Sequence, residues 1–193
     1  YTGEDTLSLH DALPIYLKEK EKSLIRQNFP ETFNIGICWA GSASHPQDQV
    51  RSFHLKKFEE IAKMKGVKLF NLQICPSQRS YGGGKTYIDF AEDAKVPMVD
   101  MVPYIKTFDD TASIISDLDL IISADTALIH LAGAMNIPCW VLITYNPDWR
   151  WRGDGKTTEW YDSIKLFRQK RLRDWSHPFK EMEQELANIL QNK

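Results

Sequence analysis

The chain has 193 residues, 42% hydrophobic and 26% charged, with a formal net charge of −2. That length suffices for one domain with a real core, and the near-neutral charge excludes a protein driven onto nucleic acid or an anionic membrane by its overall field. Three cysteines, Cys38, Cys75 and Cys139, stand singly in apolar runs; this excludes a disulfide framework and a zinc site and reads as buried free thiols in a reducing, cytoplasmic setting.

The first fifteen residues, YTGEDTLSLHDALPI, carry no lysine or arginine and no hydrophobic period, so they do not read as a secretory signal. The piece DTLSLHDALPI resembles one reading frame of a sequencing-library adapter. Residues 1–15 are therefore expected to be non-native, and a natural segment is expected to precede Tyr16. From Tyr16 to Phe29 a charged helix is expected, with Leu17, Leu24, Ile25 and Phe29 on its apolar stripe and Pro30 ending it. Residues 16–33 would link to a missing domain, and residues 34–193 would form the domain at hand.

Asn34 to Gly41, NIGICWAG, is a compact apolar run closed by glycine, hence a buried strand. Leu55 to Gly66 has Leu55, Phe58, Ile61 and Ala62 at helical spacing, with Gly66 as the stop. VKLFNLQI and MVDMV predict the second and third strands. FDDTASIISDLD predicts a helix from Asp109 or Asp110, and DLIISA the fourth strand. Thr126 to Met135 predicts a helix, PCWVLIT the fifth strand and SIKLFRQ the sixth. HPFKEMEQELANIL closes the chain as an amphipathic helix. The longest apolar zone, Ala127 to Ile143, is interrupted by His130, Asn136 and Pro138 and reads as core rather than a membrane span.

Strands alternating with helices predict an α/β, Rossmann-like parallel sheet with helices on both faces. Ligands of such sheets bind at the carboxyl ends of the strands. After the first strand, Gly41, Ser42 and Ser44 are small enough to let an anion approach backbone N–H groups, and Arg51 offers a two-pronged contact to phosphate. After the fourth, Asp125 is expected to cap a helix with Thr126 in its first turn, so that the unpaired N–H groups attract an anion. Thr126 and His130 are four apart and share a face. After the second strand, Gln73 or Gln78 is placed to touch a ligand; GGGKT lacks the leading glycine of a phosphate-binding loop and reads as a flexible loop. After the fifth, Tyr145, Trp149, Trp151, Trp160 and Tyr161 either stack on a ligand or pack on one another. No nucleophile elbow, metal-ligand cluster or dinucleotide fingerprint is present.

ADTALIHLAGAMNIPCWVL resembles the D-[TS]-x-x-x-H-x-A-x-A-x-x-x-P segment of the heptosyltransferase-like (family 9-like) glycosyltransferases, and is most similar to the C-terminal region of bacterial tetratricopeptide-repeat glycosyltransferases. GICWAGSASHPQDQVRSFHL, PDWRW and EWYDSIKLFRQ follow in that family's order. The resemblance implies the C-terminal, donor-binding half of a GT-B glycosyltransferase. It implies a nucleotide-diphosphate sugar as co-substrate, no metal and no other cofactor. Gly41, Ser42, Arg51, Asp125, Thr126, Ala127 and His130 would contact the donor, with Arg51 stabilising the leaving group. Ala127 stands where true heptosyltransferases have glycine. The acceptor site and general base would lie in the missing N-terminal domain, with or without tetratricopeptide repeats, leaving the fragment inactive alone. A non-catalytic nucleotide-sugar-binding module and a GT-B-type sugar-nucleotide epimerase are the alternative readings.

Overall fold

The structure, a computed structural model, describes residues 24–76, 78–81 and 86–192. The expected adapter segment, the first part of the helix expected from Tyr16 and the glycines Gly82–Gly84 lie outside the described residues. Within the stretch where that helix is expected, α1 (Leu24–Asn28) is described. Its Arg26 reaches Asp119 Oδ1 at 3.1 Å.

The six expected strands form one sheet. They are β1 (Phe33–Cys38), β2 (Val67–Asn71), β5 (Val99–Asp100), β6 (Leu120–Ala124), β7 (Cys139–Ile143) and β8 (Ile164–Arg168). Their order is β5-β2-β1-β6-β7-β8 and every neighbouring pair is parallel. The three central strands β1, β6 and β7 are buried along their whole length, as expected where helices cover both faces.

Successive side chains of a strand point to opposite faces, and the core divides accordingly. Ile35, Ile37, Ile122, Leu142 and Phe167 belong to one cluster, with Phe179, Met182 and Leu186 of the closing helix α6 (Ser176–Gln191). Ile121, Val141 and Leu166 belong to the other, with Ile115 of α4 (Phe108–Ile115) and Leu128, Ile129 and Ala132 of α5 (Ala127–Ala134). Gly36 sits in mid-β1, where an added Cβ would lie 2.6 Å from Leu72 Cδ1 and 2.7 Å from Leu118 Cδ1. Gly36→Ala is therefore expected to destabilise the chain by about 1–3 kcal/mol through overpacking, read as a lower midpoint with an unchanged slope in urea unfolding.

Four expectations need correction. The segment from Leu55 is a 3₁₀ turn (Leu55–Phe58) followed by a single turn of α-helix, α3 (Glu59–Ala62). His54 caps it by accepting from Lys56 N, and the N–H groups of Lys63 and Met64 already bond three residues back, which tightens the helix to its end before Gly66 (φ 82°). α4 starts one or two residues earlier than expected, because Thr107 and Asp110 form a reciprocal capping box, a stronger start signal than either aspartate alone. The glycine-rich region carries an antiparallel hairpin, β3 (Gln78–Tyr81) with β4 (Thr86–Asp89), where only a loop was expected. Of the three free cysteines, Cys75 is half-buried rather than buried.

Among the described residues no helix is long and apolar enough to cross a membrane. The polar loops that follow the parallel strands gather along one edge of the sheet, and the site is built there.

Candidate functional site

The loop after β1 is held from below by Gln73. Its Oε1 accepts from Trp39 N (3.0 Å) and Ala40 N (2.8 Å), and its Nε2 donates to Ala40 O (2.9 Å) and Cys75 O (2.8 Å). All of its bonding capacity toward the chain is engaged and it is buried. Gln73 is thus a brace for this loop, not a ligand contact.

The same loop ends in a short helix, α2 (Asp48–Arg51), where the sequence suggested irregular chain. Gly41 N donates to Ser52 Oγ (3.2 Å), and Ser52 Oγ donates to Asp48 Oδ1 (2.9 Å). Asp48 is fully buried and its Oδ1 lies 3.8 Å from Arg51 Nε. The Arg51 guanidinium lies flat against Gly41: a Cβ there would come within 2.3 Å of Nη2. Its Nη1 donates to Asp125 O at 2.8 Å. Arg51 thereby bridges the loop after β1 and the loop after β6.

Thr126, not Asp125, occupies the capping position of α5, with extended backbone (φ −138°, ψ 173°). Its hydroxyl lies 3.3 Å from Ser123 Oγ and caps no backbone N–H. The start of α5 thus keeps the positive end of the helix dipole without an internal side-chain cap. Ala127 is exposed at the first helical position.

His130, one turn on, faces the same way. Its ring stacks on the buried Trp151 (5.6 Å between centroids, 21° between planes), and its Nδ1 is 3.2 Å from Tyr161 Oη. Gly133 makes room for this arrangement, because a Cβ would lie 2.4 Å from Tyr161 Cγ. Burial holds the His130 imidazolium below its ordinary pKa, opposed by Asp125 and reinforced by Arg150. A histidine with a depressed folded-state pKa stabilises the fold above its ordinary value of about 6.5 and loses that contribution as pH falls toward the depressed value. Melting temperature is therefore expected to fall between pH 6.5 and pH 5, and the drop is expected to be smaller in His130→Gln.

The other wall comes from the turn after β7. Asp148 accepts from Arg150 N (3.1 Å) and lies 3.4 Å from Arg150 Nη1. The Arg150 guanidinium sits over the Trp149 ring (5.3 Å), and Trp160 Nε1 donates to Arg150 O (3.1 Å). Between these walls is a cleft of about 200 Å³, lined by Arg51, Asp125, Thr126, Ala127, His130 and Arg150 and, beside them, His45, Gln47, Thr144 and Asp148.

Five of the seven residues singled out in the sequence therefore line one cleft. Gly41 is buried beneath Arg51 and does not line it. Ser42 is exposed, with its hydroxyl 2.8 Å from Ser44 Oγ, and does not line it either. Arg150 escaped the sequence reading as an individual residue because it sits among tryptophans; the stretch PDWRW was its only trace. The aromatic loop divides between the two alternatives: Trp151 is core, whereas Tyr145 and Trp149 are more than half exposed. Among the described residues no three His, Cys, Asp or Glu side chains are placed to hold a metal ion. The arrangement of two arginines and a helix start can bind and stabilise an anion.

Comparison with known proteins agrees with this architecture. The chain is 27% identical over 146 residues to Protein FlbA of Caulobacter vibrioides, an alignment that covers 73% of this chain and 23% of that protein. Its fold is similar to that of E. coli heptosyltransferase WaaC with ADP (TM-score 0.53, 13% identity, 85% of this chain and 48% of the other). It is likewise similar to E. coli ADP-heptose lps heptosyltransferase II (TM-score 0.50, 15% identity, 84% and 48%). The chain thus spans about half the length of these structures and under a quarter of FlbA. The parallel sheet with helices on both faces is that of the GT-B heptosyltransferases. The model of glycosyltransferase family 9 (heptosyltransferase) matches residues 12–173, and the chain belongs to that family.

Proposed function

We propose that this chain is the donor-binding half of a glycosyltransferase that moves a sugar from a nucleotide-diphosphate donor to an acceptor. One observation carries the reading: Arg51 Nη1 lies 2.8 Å from Asp125 O, so that a cation is fixed beside the start of α5. A diphosphate seated in the cleft would meet the Thr126 hydroxyl, the helix N-terminus and the guanidinium groups of Arg51 and Arg150. These groups oppose the negative charge that builds on the diphosphate as the glycosidic bond to the sugar breaks, so they favour the transition state over the bound donor. Charge neutralisation by arginines and a helix dipole assigns no step to a metal. His130, whose charged form burial disfavours in the chain, is placed as a hydrogen-bonding group beside the two arginines.

The acceptor site and the general base belong, on this reading, to the part of the relatives' length that the chain does not span. The sheet edge supports this. Among the described residues the exposed large hydrophobics are Ile74, Tyr104, Phe108, Tyr145, Trp149 and Leu172, and all follow the carboxyl ends of β2, β5, β7 and β8. An apolar rim confined to the edge that carries the cleft suits a second domain closing over it. The reaction would take place in the cytoplasm, where nucleotide sugars are available.

Equilibrium titration of the chain with ADP, UDP, AMP and adenosine tests the reading. ADP is expected to bind most tightly, and Thr126→Val to weaken it about tenfold. Equal affinity for ADP and adenosine, or no binding of UDP or ADP at all, would sink it.

A further inference from the structure

His130 lines the cleft between the two arginines, but only one of its ring nitrogens is engaged within the chain. Nδ1 is 3.2 Å from Tyr161 Oη, while Nε2 has no hydrogen-bond partner among the described residues and keeps accessible surface. A neutral imidazole carries its proton on one nitrogen only. Whether the cleft meets an N–H donor or a lone pair is therefore decided at the Tyr161 contact.

Tyr161 is held in place by the chain itself. Its ring fills the space over Gly133, where an added Cβ would come within 2.4 Å of Cγ; Gly133 follows His130 by three residues, so the two share a helix face. Its carbonyl accepts from Ile164 N (3.3 Å). The preceding Trp160 ties the segment to the turn after β7 by donating from Nε1 to Arg150 O. The face of the His130 ring lies on Trp151, which is 1% exposed. Tyr161 does not itself line the cleft, so it reaches a molecule bound there only through His130.

The Tyr161 hydroxyl has no second hydrogen-bond partner among the described residues. If its O–H donates to Nδ1, both atoms are satisfied and the imidazole proton sits on Nε2. If Nδ1–H donates to Oη instead, the phenolic proton is left without an acceptor in the chain and a lone pair is turned to the cleft. A phenol O–H is more acidic than an imidazole N–H, and the imidazole lone pair is the more basic acceptor, so the first arrangement is favoured. Burial raises the Tyr161 pKa against the pull of Arg150, and the phenol keeps the proton that it donates.

We propose that Tyr161 is a positioning residue that fixes His130 in the Nε2–H form, so that the cleft is given a neutral N–H donor suited to an anionic oxygen. That this oxygen belongs to a diphosphate rests on the reading proposed above. The tautomer does not rest on it and is measured without nucleotide.

The first test is the imidazole nitrogen spectrum of the ¹⁵N-histidine-labelled chain at about pH 8, above the ordinary imidazole value of about 6.5. His130 is expected to show a protonated Nε2 and an unprotonated, hydrogen-bonded Nδ1. In Tyr161→Phe, which keeps the ring over Gly133, the two nitrogen shifts are expected to move toward one another as the second tautomer is populated. A protonated Nδ1 in the unaltered chain, or shifts unmoved in Tyr161→Phe, would overturn the proposal; the first of these outcomes needs no variant. The second test is a double-mutant cycle read by ADP titration. Tyr161→Phe is expected to weaken ADP about fivefold in the unaltered chain, and by less than about twofold in a His130→Ala background, because the hydroxyl acts through the imidazole. Equal weakening in both backgrounds, or none in either, would overturn the positioning role. No ADP binding by the unaltered chain would instead overturn the diphosphate reading, and the nitrogen spectra would still decide whether Tyr161 sets the tautomer.

Discussion

Gly41→Ala is expected to reduce nucleoside-diphosphate affinity by about a hundredfold, or about 2.7 kcal/mol, while lowering stability by only about 1 kcal/mol. The asymmetry comes from what the new methyl group would meet. It would lie 2.3 Å from Arg51 Nη2, 2.7 Å from Cζ and 2.8 Å from Nε. Those atoms are the far end of a long side chain, which can swing aside without moving backbone. In doing so Arg51 gives up its bond to Asp125 O and with it the place beside the start of α5. Charge-assisted contacts to phosphate depend on that geometry. Arg51→Met reaches the same loss of affinity by a costlier route. It removes the cation beside Asp48, a fully buried carboxylate, and breaking such a pair from one side costs more than the pair contributes. Its stability loss is expected to be about 2–3 kcal/mol, larger than that of Gly41→Ala. Urea unfolding and ADP titration on the two variants separate the effects. Wild-type affinity in Gly41→Ala would show that the position of Arg51 does not matter for the diphosphate.

The sheet was legible because the inner strands β1, β6 and β7 read as near-continuous apolar runs, and VKLFNLQI, MVDMV and SIKLFRQ, though interrupted by polar residues, each supply one strand more. The helix starts were less legible. Asp125 and Thr126 are both good caps by residue type, and only the extended backbone of Thr126 decides between them. The same holds at Thr107: the aspartates after it are good starters by residue type, and only the backbone shows the capping box that Thr107 makes with Asp110. Long-range pairing was not legible at all. Gln73 looks like a ligand contact from its position after a strand, yet three of its four amide bonds go to residues 33 and 34 positions earlier in the chain and the fourth to Cys75 O. Gly41 could be read as a small residue in a turn, but its reason, the guanidinium lying on it, comes from a helix that the sequence did not announce. Arg150 depends on Trp149, Asp148 and Trp160 together, a combination that no periodicity reports. Tyr161 could not be linked to His130 because they are 31 residues apart.

Ala127→Asp should move stability and binding in opposite directions. Ala127 is the first helical residue of α5 and exposed. A carboxylate there meets the positive end of the helix dipole and is expected to stabilise the chain by about 0.3–1 kcal/mol at low ionic strength. The same carboxylate projects from the position where the diphosphate is proposed to sit, beside Thr126. Two like charges a few ångströms apart in a cleft walled by protein repel by several kcal/mol at an effective dielectric of about 20. ADP affinity is therefore expected to fall at least about a hundredfold while the melting temperature stays level or rises slightly. The stabilising half of the effect should fade as salt screens the exposed charge. Ala127→Asn separates charge from bulk: it keeps the size of the aspartate without its charge, and is expected to retain most of the affinity. If Asn and Asp weaken ADP equally, the loss is steric, and the start of α5 is not acting on the phosphates through its charge. If neither weakens it, the diphosphate is elsewhere, and the cleft between Arg51 and Arg150 must be assigned to something other than the donor.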